Sequence, residues 1–101
     1  MSTLARDLES AAVVGVELNE GSLTFALADG RRLSAPLGWY PRLAHATAEE
    51  RQRWRIVGRG EGVHWPLLDE DIRAAGLLAG RASTESQTSL ARWLEGRAAR
   101  S

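Results

Sequence analysis

Cysteine is absent from the 101-residue chain, and so is lysine, all thirteen basic residues being arginine. Without cysteine there is no disulfide, no thiolate nucleophile and no Cys-ligated zinc, so the chain folds without a covalent staple. A cytoplasmic location fits that usage. Without lysine there is neither a Walker-type phosphate loop nor Schiff-base chemistry. Net charge is missing too: thirteen acids balance thirteen arginines, and no overall attraction to anionic polymers is expected. No segment approaches the roughly 20 apolar residues of a membrane span. The N-terminal MSTLARDLES carries acids early and has no apolar run of signal-peptide length, so a soluble, unexported protein is expected. There is no internal repeat and no low-complexity tract.

What remains is a globular composition, 44% hydrophobic and 26% charged. One domain is expected, able to bury a little over about 60% of the surface its unfolded chain exposes. Ala12, Val14, Val16 and Leu18 alternate along one run, and Leu23, Phe25 and Leu27 along the next, the period of half-buried strands. Between them NEGS offers Gly21 for a tight turn. Opposing Leu18 to Leu23, Val16 to Phe25 and Val14 to Leu27 keeps the apolar residues on one face. A two-residue loop at Asp29-Gly30 would split the faces of the next hairpin. A three-residue loop with Gly30 left-handed instead opposes Phe25 to Leu33 and Leu23 to Ala35. Residues 12–37 thus predict a three-stranded antiparallel meander with one face to cover.

Helices supply the cover. Pro41 breaks the chain after the strands, and Tyr40, Leu43 and Ala44 suit a short turn under the sheet. Thr47-Ala48-Glu49-Glu50 is a capping box opening a helix to about Trp54. Ile56 and Val57 read as a short strand, interrupted by Gly58, Gly60 and Gly62 and resumed by Val63 and Trp65 until Pro66. Asp69 is expected to cap a helix through 70–79 that carries Ile72, Leu77 and Leu78 and stops at Gly80. The polar stretch 81–87 precedes a last helix, capped by Ser86, with Leu90, Trp93 and Leu94 at i, i+3 and i+4. The expectation is therefore an α+β chain: an N-terminal segment 1–10, a domain 11–80 with a three- to four-stranded antiparallel sheet and two short helices, and a linker with a C-terminal amphipathic helix over 81–101.

Four features could carry function. Gly58-x-Gly60-x-Gly62 is one residue short of the dinucleotide fingerprint and better suits a bulged strand or sharp turn. His64 with Asp69 and Asp71 has the side chains of a divalent-ion or acid–base site, but no second histidine nearby, nucleophile elbow or further catalytic motif accompanies it, so no enzyme, metal or cofactor is expected and an undescribed enzyme or metal site there ranks third. Arg51, Arg53, Arg55 and Arg59 surround Trp54, a combination that suits single strands; Glu49, Glu50 and Glu61 partly neutralise it, so direct nucleic-acid binding ranks second. The stripe Leu90, Trp93, Leu94 is too small to stand alone and must dock, on its own domain or as an anchor for another chain.

Residues 27–80 also resemble a bacterial family of uncharacterised small proteins, domain of unknown function 2442. The shared marks are Asp29-Gly30, Trp39-Tyr40-Pro41-Arg42-Leu43, Trp54, Gly60, Gly62, His64-Trp65-Pro66 and Asp69-Glu70-Asp71-Ile72 with Leu77. The preceding hairpin fits as well, extending the likeness to roughly residues 12–80. The resemblance implies an α+β fold and no established activity. Some relatives resemble the first half of a transcriptional regulator, ahead of a helix-turn-helix domain; others resemble partners of a second small protein, as in toxin–antitoxin pairs. Here only residues 81–101 follow Gly80, too few for a helix-turn-helix domain. The expected function is a small non-catalytic protein-interaction or regulatory module with a protein partner or a second copy of itself.

Overall fold

The computed structural model describes residues 12–100, the side chains of residues 99 and 100 excepted; the segment expected over 1–10 lies outside the described residues. The chain is α+β, as its patterning predicts. The first three strands, β1 (Val13–Leu18), β2 (Ser22–Leu27) and β3 (Arg32–Pro36), form an antiparallel meander in the order β1-β2-β3. A 3-10 turn over Leu37–Trp39 leads into α1 (Pro41–Ala44) and α2 (Ala48–Gln52). A second antiparallel sheet follows, β4 (Arg55–Val57), β5 (Gly62–Trp65) and β6 (Glu70–Arg73), with β5 central. Helix α3 (Ala74–Leu78) and the longer α4 (Gln87–Arg100) complete the chain.

Local chemistry explains most of these boundaries. The β2–β3 register pairs Phe25 with Leu33 and Leu23 with Ala35. Gly30 sits at φ 91°, the left-handed position the three-residue loop requires. At α2 both halves of the capping box close: the Glu50 amide donates to Thr47 Oγ1 (3.1 Å), and the Thr47 amide donates to Glu50 Oε1 (2.8 Å). Gly80, at φ 75°, ends α3 as expected, the Arg81 amide donating back to the Gly76 carbonyl.

Two expectations are corrected. In the first hairpin Leu18 faces Leu23 and Val16 faces Phe25, but Leu27 pairs with Val13 instead of Val14. A β-bulge lies between Val13 and Gly15, so Val13 is buried while Val14 is 57% exposed. Consecutive valines left the alternation unable to choose, and the Val13 amide is claimed by the Gly60 carbonyl at 2.8 Å. The helix expected over 70–79 is a strand followed by one helical turn. Asp69 stands at φ 50° in the β5–β6 hairpin, a left-handed position Asp tolerates, and does not cap a helix. Ile72 then faces Val63 across the second sheet, and only Ala74–Leu78 turns helical.

Both sheets feed one core. Leu23, Phe25, Leu27 and Ala35 from the first meet Val63, Trp65 and Ile72 from the second, with Tyr40 and Leu43 between and Leu68 tucked in from the hairpin. Full burial of Phe25 alone contributes about 1.5–3 kcal/mol. Trp65 Nε1 donates to the Arg51 carbonyl at 3.1 Å, and among the described residues no buried side-chain N or O atom lacks a hydrogen-bond partner.

Gly60 and Gly62 form the seam. A Cβ on Gly60, whose φ is 92°, would lie 2.6 Å from Ala12 Cβ and 2.8 Å from the Val13 amide nitrogen; one on Gly62 would lie 2.5 Å from the Ile72 carbonyl oxygen. Backbone cannot yield there, so Gly60→Ala is expected to destabilise by about 2 kcal/mol or more. Gly96, mid-way along α4 with open space around it, gives the opposite sign: Gly96→Ala stabilises by about 0.5–1 kcal/mol. Urea unfolding of the two variants checks both values.

Candidate functional site

The C-terminal helix docks on its own domain through Trp93 and two Arg–Glu pairs. Ser86 caps it, accepting the Ser89 amide at 3.0 Å. Trp93 packs against the core, with the Arg97 guanidinium 4.5 Å and the Arg42 guanidinium 5.3 Å from its ring centroid. Each arginine is held in turn by a carboxylate. Arg97 donates to both oxygens of Glu50, at 2.7 and 2.8 Å. Arg42 donates Nε and Nη2 to Glu85 and Nη1 to the Leu68 carbonyl (2.9 Å). Ser89 Oγ donates to Glu85 at 2.8 Å, and the Ser83 amide donates to the Trp39 carbonyl at 2.9 Å. Both pairs are sheltered, with side-chain exposures of 17% and 12% for Arg42 and Glu85 and 26% and 18% for Arg97 and Glu50.

Sheltered pairing fixes the charge states. Hydrogen bonds from Arg97 hold the Glu50 carboxyl down at about 2, and those from Arg42 hold Glu85 below the ordinary carboxylate range. Burial pushes Glu70 up, on the inward face opposite Trp65, and it also pushes up the Tyr40 hydroxyl, aided by the nearby Glu70 charge.

The expected site residues are dispersed by this arrangement. Val63 and Trp65 face inward, leaving His64 half-buried on the other face between its cross-strand neighbours Arg55 and Asp71. Asp69 is in the hairpin, and no group of three potential metal ligands occurs among the described residues. The arginine cluster is divided as well. Arg51 turns inward, donating Nε to the Leu43 carbonyl (2.9 Å) and Nη2 to the Ala44 carbonyl (3.0 Å), where it caps α1. Arg53 pairs with Glu49, while Arg55 and Arg59 are exposed. Of the C-terminal stripe, Trp93 is engaged within the chain, and Leu90 and Leu94 are half-buried. Of the family marks, Trp65 and Ile72 are core, Trp39 and Trp54 pack at its margin, Pro41 opens α1, and Pro66 follows β5.

A different concavity had no signal in sequence. Val16 and Leu18 lie on the core side of β1 but at the edge of its sheet, and α2 with Trp54 stands opposite. The crevice between them measures about 200 Å³ and is lined by Val16, Leu18, Ala48, Arg51, Gln52 and Trp54. Sequence could supply the residues but not bring position 16 beside position 54.

These features define a small α+β domain of two three-stranded sheets sharing one core, with a helix strapped across it by paired arginines. The chain belongs to the family described as protein of unknown function (DUF2442), whose model matches residues 13–83. The match ends before α4, so both Arg–Glu pairs tie the family domain to chain beyond it. Two solved structures share the fold. A protein of unknown function from Rhodospirillum rubrum is 24% identical with a TM-score of 0.63, over 75% of this chain and 94% of that one. An uncharacterised protein from Chromobacterium violaceum is 28% identical with a TM-score of 0.65, over 88% of this chain and 82% of that one. A search of curated proteins finds no match. No helix among the described residues is long and apolar enough to cross a membrane.

The strap makes stability depend on acid. Glu50 and Glu85 have folded pKa values below the unfolded 4.5, so their contribution is present above about pH 4.5 and is lost as pH falls, toward about 2 for Glu50. Glu50→Gln is expected to cost roughly 1.5–3 kcal/mol at neutral pH, the scale of a hydrogen bond to a charged group. It should also flatten the acid limb of the stability profile. Thermal unfolding from pH 7 to pH 2 checks both effects.

Proposed function

We propose that this chain is a small non-catalytic protein-interaction module acting in a regulatory assembly, in the manner of one member of a two-protein pair. The observation that carries it is the free edge of β1 beside a half-apolar crevice. Strand β1 pairs only with β2 among the described residues. Its sequence, VVGVEL, carries one charge, Glu17, which is already paired with Arg32. Natural sheets blunt exposed edges with charges, prolines or covering segments, so an edge this apolar beside a concavity marks a place for another chain.

The C-terminal stripe is a weaker candidate for that contact, because the Trp93 ring is already in contact with the Arg42 and Arg97 guanidinium groups. Direct nucleic-acid binding is also less favoured. Arg51 and Arg53 are spent on the α1 carbonyls and on Glu49, leaving Arg55 and Arg59 as the exposed arginines of the four without a carboxylate partner among the described residues.

Tagged full-length chain, expressed at native level, is expected to co-purify one protein in fixed ratio, and the complex should re-form from purified components. Sedimentation showing a lone monomer with no stable companion would overturn the proposal. A gel shift is expected to show no salt-sensitive binding of DNA or RNA.

A further inference from the structure

The crevice has chemistry as well as shape. One wall is Val16 and Leu18, and across from it stand the Trp54 ring and Ala48. Arg51 also lines it, and two of its five N–H donors are committed to the Leu43 and Ala44 carbonyls. Among the described residues no carboxylate pairs with Arg51; Arg55, Arg59, Arg81 and Arg92 also have none, but those four are exposed whereas Arg51 is half-buried. A half-buried guanidinium with donors to spare, set in an apolar wall beside an open strand edge, selects for a particular ligand.

Resting on the interaction role proposed above, we propose that the crevice binds an extended peptide segment carrying an apolar side chain and, two residues away on either side, an Asp or Glu. The segment adds as a strand to the edge of β1, where Val13 is already bonded to Gly60 and the remainder of the edge pairs with no other strand among the described residues. In an extended chain residues i and i+2 share a face, about 6.6 Å apart. One side chain of such a pair, the apolar one, therefore enters between Val16, Leu18 and Trp54, while the other, a carboxylate, meets Arg51. A helical ligand would leave the strand edge unsatisfied, and a neutral one would leave Arg51 without its counter-charge.

Selection from displayed random octapeptides on the full chain tests this, followed by titration of one enriched synthetic peptide. Enriched sequences are expected to carry an apolar residue two positions from an acid. On binding, amide hydrogens of β1 should become protected from exchange. Gln52→Glu, an exposed change at the crevice rim, should weaken the peptide by about two- to fivefold and Gln52→Arg should strengthen it by a similar factor. Ala48→Trp fills the mouth from an exposed helix position and should abolish binding, with circular dichroism confirming that all three variants fold. Failure to enrich any peptide, enrichment without the acid, or binding indifferent to Ala48→Trp would overturn the proposal. If Ala48→Trp still co-purifies the native companion, the interaction module stands and this site falls. If no companion exists at all, the module falls with it.

Discussion

The Val13 amide reaching the Gly60 carbonyl at 2.8 Å joins the two sheets, and much else follows from it. The approach is possible only because Gly60 has no side chain, since a Cβ there would fall 2.8 Å from that same nitrogen. The bond draws Val13 into the core, forces the bulge at Val14, and hands Leu27 a different partner from the one simple alternation assigns. It also anchors the start of β1, so that Val16 and Leu18 come to lie at a sheet margin opposite Trp54. The crevice is thus a product of the seam.

Arginine takes structural roles throughout. Arg51 caps a helix, Arg42 and Arg97 grip Trp93, and each of those two is fixed by a carboxylate from elsewhere in the chain. A planar fork with five donors can hold a carboxylate, a carbonyl and an aromatic face together, which an ammonium does less well. Among the described residues six of the chain's thirteen arginines are paired with carboxylates of the same chain, so part of this charge is turned inward onto the protein itself.

How much of this was legible depended on the range of the interaction. The β2–β3 register, the Thr47–Glu50 capping box, the Ser86 cap and the stops at Gly30 and Gly80 were readable because each is settled within a few residues. The stretch DEDIR was misread because acids after Pro66 look the same at a helix start and in a hairpin. Only the pairing of Ile72 with Val63 decides for the strand. The Glu50–Arg97 and Arg42–Glu85 pairs span more than forty positions, and no periodicity reports on them.

By itself the sequence determined the fold class, the first meander, the local caps and the exclusion of thiol and lysine chemistry, because these rest on residue type and near-neighbour spacing. Only the tertiary structure decided that Asp69 belongs to a hairpin and His64 faces Asp71 across the second sheet, that Trp93 is held within the chain, and that the edge of β1 faces Trp54 across a crevice. Those outcomes turn on where two sheets meet, and their meeting is set by a backbone contact between a strand and a glycine turn far apart in the chain.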